Sequence, residues 1–453
     1  MLLFLIRLLL NRIILEHFNF MNWIVRYAVL LSMLSATLTA QQDRIVGRVD
    51  RFQTRALTGN IHPRARLQFD AGPLDPSQRL DHVMLMFRRS SAQQTALDQL
   101  LLEQQTLSSP NYHNWLSPDQ FGDRFGLSRN DTAKIASWLQ SEGLAVDEIS
   151  RGRNWVEFSG TAGQIQTALR TTLRRYRIDG ELHFANAVEP SVPQVVEPLV
   201  AGVLGLDDFR PNSPRRRALP LYSSISGSHS LAPDDFATIY NLNPLYNSGY
   251  DGSGQSIVVV GQSAINLADI QQFRSTYNLP KNDPQIVLVP GSVDPGRNSS
   301  EAEADLDLEW AGAVARKASL IYVYSPNALT ISIPYAINQN LAPVITYSFG
   351  TCEPHRAPST TASIRGLAQQ ANAQGITWLV SSGDSGAASC DPAFQSSLPS
   401  ASQGLSVSFP ASLPEVTGVG GTQFDPGSGT YWSASNSINS ASALSYIPET
   451  SWN

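Results

Sequence analysis

Two cysteines in 453 residues cannot build a disulfide framework, so a buried core must hold this fold together. Charge is scarce as well. Only 15% of residues are charged and the net charge is −6 at pH 7, which argues against a nucleic-acid footprint. From residue 229 onward the only histidines are His229 and His355, neither in a recognisable general-base motif, and no G-x-S-x-G elbow occurs. A Ser-His-Asp hydrolase therefore finds little support. Beyond residue 40 no apolar run approaches the roughly 20 residues that a membrane helix needs. What is present is an ordinary globular balance, 42% hydrophobic, long enough for two or three domains.

The N-terminus reads as an export signal. Met21–Ala40 has Arg26 in a short n-region, then an apolar stretch, then small residues. Residues 1–20 form a second apolar segment broken by Arg7 and Arg12, so residues 1–40 are either a signal peptide or an N-terminal apolar anchor. Either reading places the protein outside the cytoplasm, with membrane contact only through this segment.

Two patterns follow, separated by a linker. Residues 43–210 alternate strands and helices: Asp81–Arg88, a helix at Ala92–Gln105, a turn-rich stretch Ser108–Gly126, a helix from Asn130 to Gly143, then Leu144–Ile149, Asn154–Phe158, a helix at Ala162–Thr172, Arg174–Ile178 and Leu182–Asn186. This approximates βαβ–βαβ, compatible with a ferredoxin-like α+β sandwich. Residues 211–230 are rich in Pro, Ser and Gly around Arg215-Arg216-Arg217 and read as a processing linker. From Leu231 the fold class is α/β. Ser256–Gly261 is the near-continuous Val/Ile run of a strand buried on both faces, and four further helix and strand pairs follow to Ser381. The spacing predicts a doubly wound, mainly parallel sheet, whose ligands bind at the carboxyl ends of the strands.

The richest stretch is EAEADLDLEW, Glu301–Trp310. Ser300-x-x-Glu303 has capping-box spacing and Ala residues continue the run, so the segment reads as a helix. On the wheel, Glu303 and Asp307 share an arc with Leu306, Trp310 and Val314, whereas Glu301, Asp305 and Glu309 form a second stripe expected to face solvent. The first pair is then buried or lines a cleft, and two close carboxylates at low dielectric perturb each other's pKa. The bland alternative is a cap at Glu303 and a backbone bond at Asp307. Two strand ends carry turns: Ser348-Phe349-Gly350, and Ser382-Gly383-Asp384-Ser385-Gly386. Asp384 stands either at the mouth of the sheet or in an Asx turn. Ser385 in GDSG mimics a trypsin-like nucleophile, but such enzymes are all-β and need a histidine. Cys352 and Cys390 each follow a strand end on one side of the sheet and are expected to pair, free buried thiols being the alternative.

Several segments together resemble the sedolisin family of serine-carboxyl peptidases in its pro-kumamolisin form. They are SPNYHNWLSPDQFGDRFG (109–126), the run FSGTAGQIQTAL from Phe158, PDDFATIYNLNPLY (233–246), EADLDLEW, ITYSFGTCEP (345–354) and SSGDSGAASCD (381–391). The resemblance implies a subtilisin-like sheet (C-terminally incomplete here) behind an activation pro-domain at 43–210, with the peptidase domain at 231–453. It implies Glu303 as general base, Asp307 as the carboxylate that orients it, and Asp384 as a protonated oxyanion donor. Ser348, Phe349 and Gly350 would bind an extended protein or peptide substrate by backbone pairing. The pro-domain would act as intramolecular inhibitor. No metal site is expected before Asn453, calcium being a property of family sequence beyond it. The family's G-T-S-x-x-x-P serine motif is not found either, since Gly421-Thr422-Gln423 and Ser159-Gly160-Thr161 do not supply it. The expectation is a secreted, acid-acting endopeptidase or tripeptidyl-peptidase precursor, inactive as this chain stands. The alternative is a non-catalytic protein that keeps the cleft for binding.

Overall fold

The structure is a computed structural model, and it describes residues 41–211, 231–391 and 401–451. The N-terminal apolar segment, and all of the linker after Pro211, lie outside the described residues. No helix among those described is long and apolar enough to cross a membrane.

The first half is built on a four-stranded antiparallel sheet. Its elements are β1 (Arg79–Phe87), α1 (Ser91–Gln105), α2 (Pro118–Phe125), α3 (Arg129–Ser141), β2 (Ala145–Ile149), β3 (Trp155–Thr161), α4 (Ala162–Ala168) and β4 (Val200–Leu204). The strand order is β2-β3-β1-β4, all neighbours antiparallel. Helices α1, α2 and α4 each start at a full capping box, on Ser90, Ser117 and Thr161. Two expectations are corrected here. The turn-rich stretch contains α2, announced by Ser117-Pro118 with Gln120 at N3. The sheet's fourth strand is β4, whereas Leu173–Ile178 and Glu181–Asn186 pair into a separate three-stranded sheet with Asp70–Pro73.

The second half is a parallel sheet with helices on both faces. It comprises α5 (Pro233–Ile239), β5 (Ser256–Gly261), α6 (Leu267–Thr276), β6 (Gln285–Leu288), α7 (Glu301–Val314), β7 (Ser319–Tyr324), α8 (Ile333–Gln339), β8 (Val344–Tyr347), α9 (Pro358–Ala373), β9 (Thr377–Ser381) and β10 (Thr417–Val419). The strand order is β6-β7-β5-β8-β9-β10, every neighbouring pair parallel. Strand alternation divides the core in two. Val259, Leu320 and Tyr322 face α6 and α7, packing on Ile270, Ala304 and Leu308. Val258, Val260, Ile345, Tyr347 and Phe349 face α8 and α9.

On that second face the first half docks. Met84 and Met86 of β1, Trp155 of β3 and Leu204 of β4 join one buried cluster with Ile333, Ile337, Ile364 and Leu367. Around this apolar patch the contacts are mostly amides. Asn154 Nδ2 donates to Gln370 Oε1 at 2.8 Å, and Gln104 Nε2 and the Leu116 N–H both donate to the Ala373 carbonyl. Trp115, from the 109–126 signature, lies against Gly375, whose φ of +76° suits glycine at the end of α9. At the junction with the linker, Arg356 Nη1 and Gln262 Nε2 hold the carbonyls of Phe209 and Pro211.

Candidate active site

Helix α7 settles onto the sheet along Ala304, Leu308 and Gly312, all buried. These residues are spaced i, i+4 and i+8, and two of them are small enough to let the backbone approach β7. The carboxylates therefore stand on the two shoulders of the buried stripe. Glu303 and Asp307 occupy one shoulder. On the other, Asp305 and Glu309 are half-buried rather than solvated, which corrects the expectation of an exposed stripe; the exposed residues are Ala302 and Leu306, the latter at 47%. The wheel misplaced the stripe because Leu306 and Trp310 outweighed the small residues that actually permit contact. The Ser300 cap is also corrected. Its side chain caps nothing, and its N–H donates to Asn298 Oδ1 at 2.9 Å.

The first shoulder faces the end of β8. Ser348 Oγ donates to Asp307 Oδ1 at 2.8 Å, while Asp307 Oδ2 is buried without a hydrogen-bond partner. Burial, then the charge of Glu303, pushes the Asp307 pKa up to about 8, against the downward pull of the Ser348 bond. Glu303 lies in the first turn of α7 and is half-buried. Glu303 stands one turn before Asp307, a carboxyl group that keeps its proton at acid and neutral pH.

Asp384 follows the neighbouring strand β9, which pairs with β8 through Tyr347 and Val380. Gly383 has φ +86°, a conformation costly to any residue with a Cβ, and it turns the chain so that Asp384 lines a small cavity. That cavity has a volume of about 160 Å³ and is also lined by Ser382, Gly420, Gly421 and Ser451. Ser385 sits in the same turn after a parallel strand, a setting foreign to a trypsin-like nucleophile. Of the strand-end residues, Phe349 is fully buried beside Tyr347, so only its backbone is available to a ligand. A Cβ on Gly350 would lie 2.4 Å from Ser408 Oγ. Just beyond, Thr351–Cys352 pairs antiparallel with Ser408–Phe409, and Cys352 is disulfide-bonded to Cys390 with Cα atoms 4.8 Å apart. The bridge joins the segments that follow β8 and β9.

The second shoulder of α7 meets α6. Oxygens of Asp269, Glu301 and Asp305 lie within 4.8 Å of one another. Burial first, then Glu301 and Asp269, raises Asp305 to about 7, and Glu309 is raised to about 7 by burial and Asp305. Glu301 is paired with Arg297, so the cluster is partly neutralised, and no calcium is assigned to it. Sequence reading gave Ser348 only a backbone role. The signal it passed over is the alternation in Tyr347-Ser348-Phe349, which turns the hydroxyl towards the α7 face.

Comparison with known proteins finds peptidases and their activation domain. Residues 69–209 match the family "Pro-kumamolisin, activation domain". Sedolisin of Pseudomonas sp. (strain 101) is 28% identical over 359 residues, covering 76% of this chain and 57% of the relative. Kumamolisin of Bacillus sp. (strain MN-32) is 28% identical over 393 residues, covering 81% and 66%. Tripeptidyl-peptidase 1 of Mus musculus is 24% identical over 401 residues, covering 84% and 69%. The chain thus spans about three-fifths of the length of the first two relatives. The activation-domain match over residues 69–209, these relatives and the sequence motifs together support a pro-kumamolisin-like protein of the sedolisin family.

Proposed function

We propose that the protein is the precursor of an exported serine-carboxyl peptidase that hydrolyses peptide bonds at acid pH. The observation that carries this reading is the carboxyl pair on α7, with Asp307, its Oδ2 buried, raised to about 8 one turn from Glu303 in the first turn. In this mechanism Glu303 is the general base for a serine hydroxyl, and Asp307 orients and tunes it. Asp384, kept neutral by acid, donates a hydrogen bond to the oxyanion. A carboxylate base and a neutral carboxylic acid coexist only where the pH lies near carboxyl pKa values, which gives an acid optimum. The backbone of Ser348–Gly350 pairs with the substrate strand. Residues 43–210 act as the inhibitory pro-domain, and their β2-β3-β1-β4 order supports a ferredoxin-like arrangement. The order β6-β7-β5-β8-β9-β10 supports a subtilisin-like peptidase sheet. We assign the nucleophile to none of the described serines, and calcium to none of the described carboxylates.

The test is hydrolysis of quenched fluorescent peptides between pH 3 and 7 by the full-length protein. Glu303→Gln and Asp307→Asn should each lower kcat/KM by about 10²–10⁴-fold while the protein stays folded, the usual contribution of a proton-transfer group. Glu301→Gln should change it less than about threefold, since Glu301 sits on the opposite shoulder. An active Glu303→Gln protein refutes the mechanism.

A further inference from the structure

We infer that Ser348 is a positioning residue for the acid pair, its hydroxyl fixing Asp307 by one oxygen. The role rests on the reading of Glu303 and Asp307 given above and adds a group to it. Ser348 is itself half-buried, between two fully buried aromatics, Tyr347 and Phe349. Those side chains face α8 and α9, so strand alternation sends Ser348 to the opposite face, where α7 lies. Four residues on, the disulfide at Cys352 ties the same segment to the chain after β9. The hydroxyl is therefore held by a rigid strand end rather than by a loop, and it reaches Asp307 Oδ1 at 2.8 Å.

The Asp307 carboxyl has few other constraints. The titratable groups that face it are Glu303 on its own helix and Tyr322 on β7, whose hydroxyl is already committed to the Ser263 carbonyl at 2.7 Å. Asp307 Oδ2 has no hydrogen-bond partner. Ser348 is thus the one hydrogen bond described for this carboxyl, and it leaves the second oxygen able to carry the proton. It also links two parts of the site. The residue whose backbone is assigned to the substrate strand sets, through its side chain, the orientation of the acid partner.

The experiment is thermal unfolding of the full chain from pH 4 to pH 10, which needs no peptidase activity. Asp307 titrates above its unfolded value, so its protonated form favours the native state. Stability from this group is present at low pH and is lost as pH rises from about 4 towards about 8. The Ser348 bond favours the ionised form. In Ser348→Ala the loss should continue above pH 8, giving a Tm decrement at pH 9 larger than that at pH 5 by on the order of 2 °C. Ser348→Thr, which keeps a hydroxyl, should follow the wild-type profile, and in an Asp307→Asn background the extra decrement should vanish. A decrement equal at pH 5 and pH 9, or one that persists in Asp307→Asn, overturns the assignment. Failure of peptide hydrolysis would instead count against the proposed function and leave this titration standing.

Discussion

Gly375→Ala probes how the first half of the chain grips the second. Gly375 ends α9 at φ +76°, and a Cβ there would lie 2.5 Å from Trp115 Cγ and 2.6 Å from Cδ2. Two costs follow. A left-handed alanine costs about 1–2 kcal/mol in any context. Displacing Trp115 forfeits its apolar contact; half of a tryptophan is roughly 100 Å², or about 2.5 kcal/mol at 25 cal/mol per Å². The single substitution should therefore cost about 3.5–4.5 kcal/mol, much of it by loosening the segment whose Leu116 N–H bonds the Ala373 carbonyl at 2.9 Å. Trp115→Ala alone should cost about 2.5 kcal/mol, and in that background Gly375→Ala should cost only the backbone term. Denaturant unfolding of the four proteins gives the coupling energy directly. A coupling below about 0.5 kcal/mol would refute the contact as a docking element.

Two further outcomes are expected. Burial raises the Asp207 carboxyl to about 6 in spite of Arg356, so its contribution to stability is present below pH 4 and is lost as pH rises through 6; Asp207→Asn should flatten the pH 4–7 slope of ΔG by up to about 3 kcal/mol in denaturant titrations. Asp235, fully buried, accepts from the Ala232, Ser442 and Ala443 N–H groups and pins the chain after Tyr431 onto α5; Asp235→Ala should cost about 3 kcal/mol or more in urea unfolding and Asp235→Asn less, since the amide keeps one acceptor.

The parallel sheet was legible because strands covered on both faces are written in Val and Ile, as in Ser256–Gly261, and no surface pattern competes with that signal. Strand β4 was hidden for the converse reason: Val200–Leu204 is short, carries Gly202, and is held by β1, more than a hundred residues earlier. Helix α2 lay within a stretch of turn formers, although its cap was written in Ser117 and Gln120. At the site, the helix and its Glu303–Asp307 spacing could be read directly. That the other shoulder is half-buried as well could not, because helical periodicity ranks residues by hydrophobicity, whereas Ala304 and Gly312 make the contact by being small. The Ser348–Asp307 bond joins residues 41 apart in sequence, a pairing that no local pattern encodes.

The apolar seam where β1, β3 and β4 meet α8 and α9 also bears on how the protein can be handled. Made alone, the second half would expose Ile364, Leu367 and their neighbours to water, and the first half would expose Met84, Met86 and Trp155. Each is a contiguous greasy face of the kind that drives precipitation. Soluble material should thus require both halves to be synthesised on one polypeptide or refolded together, with any cut introduced only after the seam has closed.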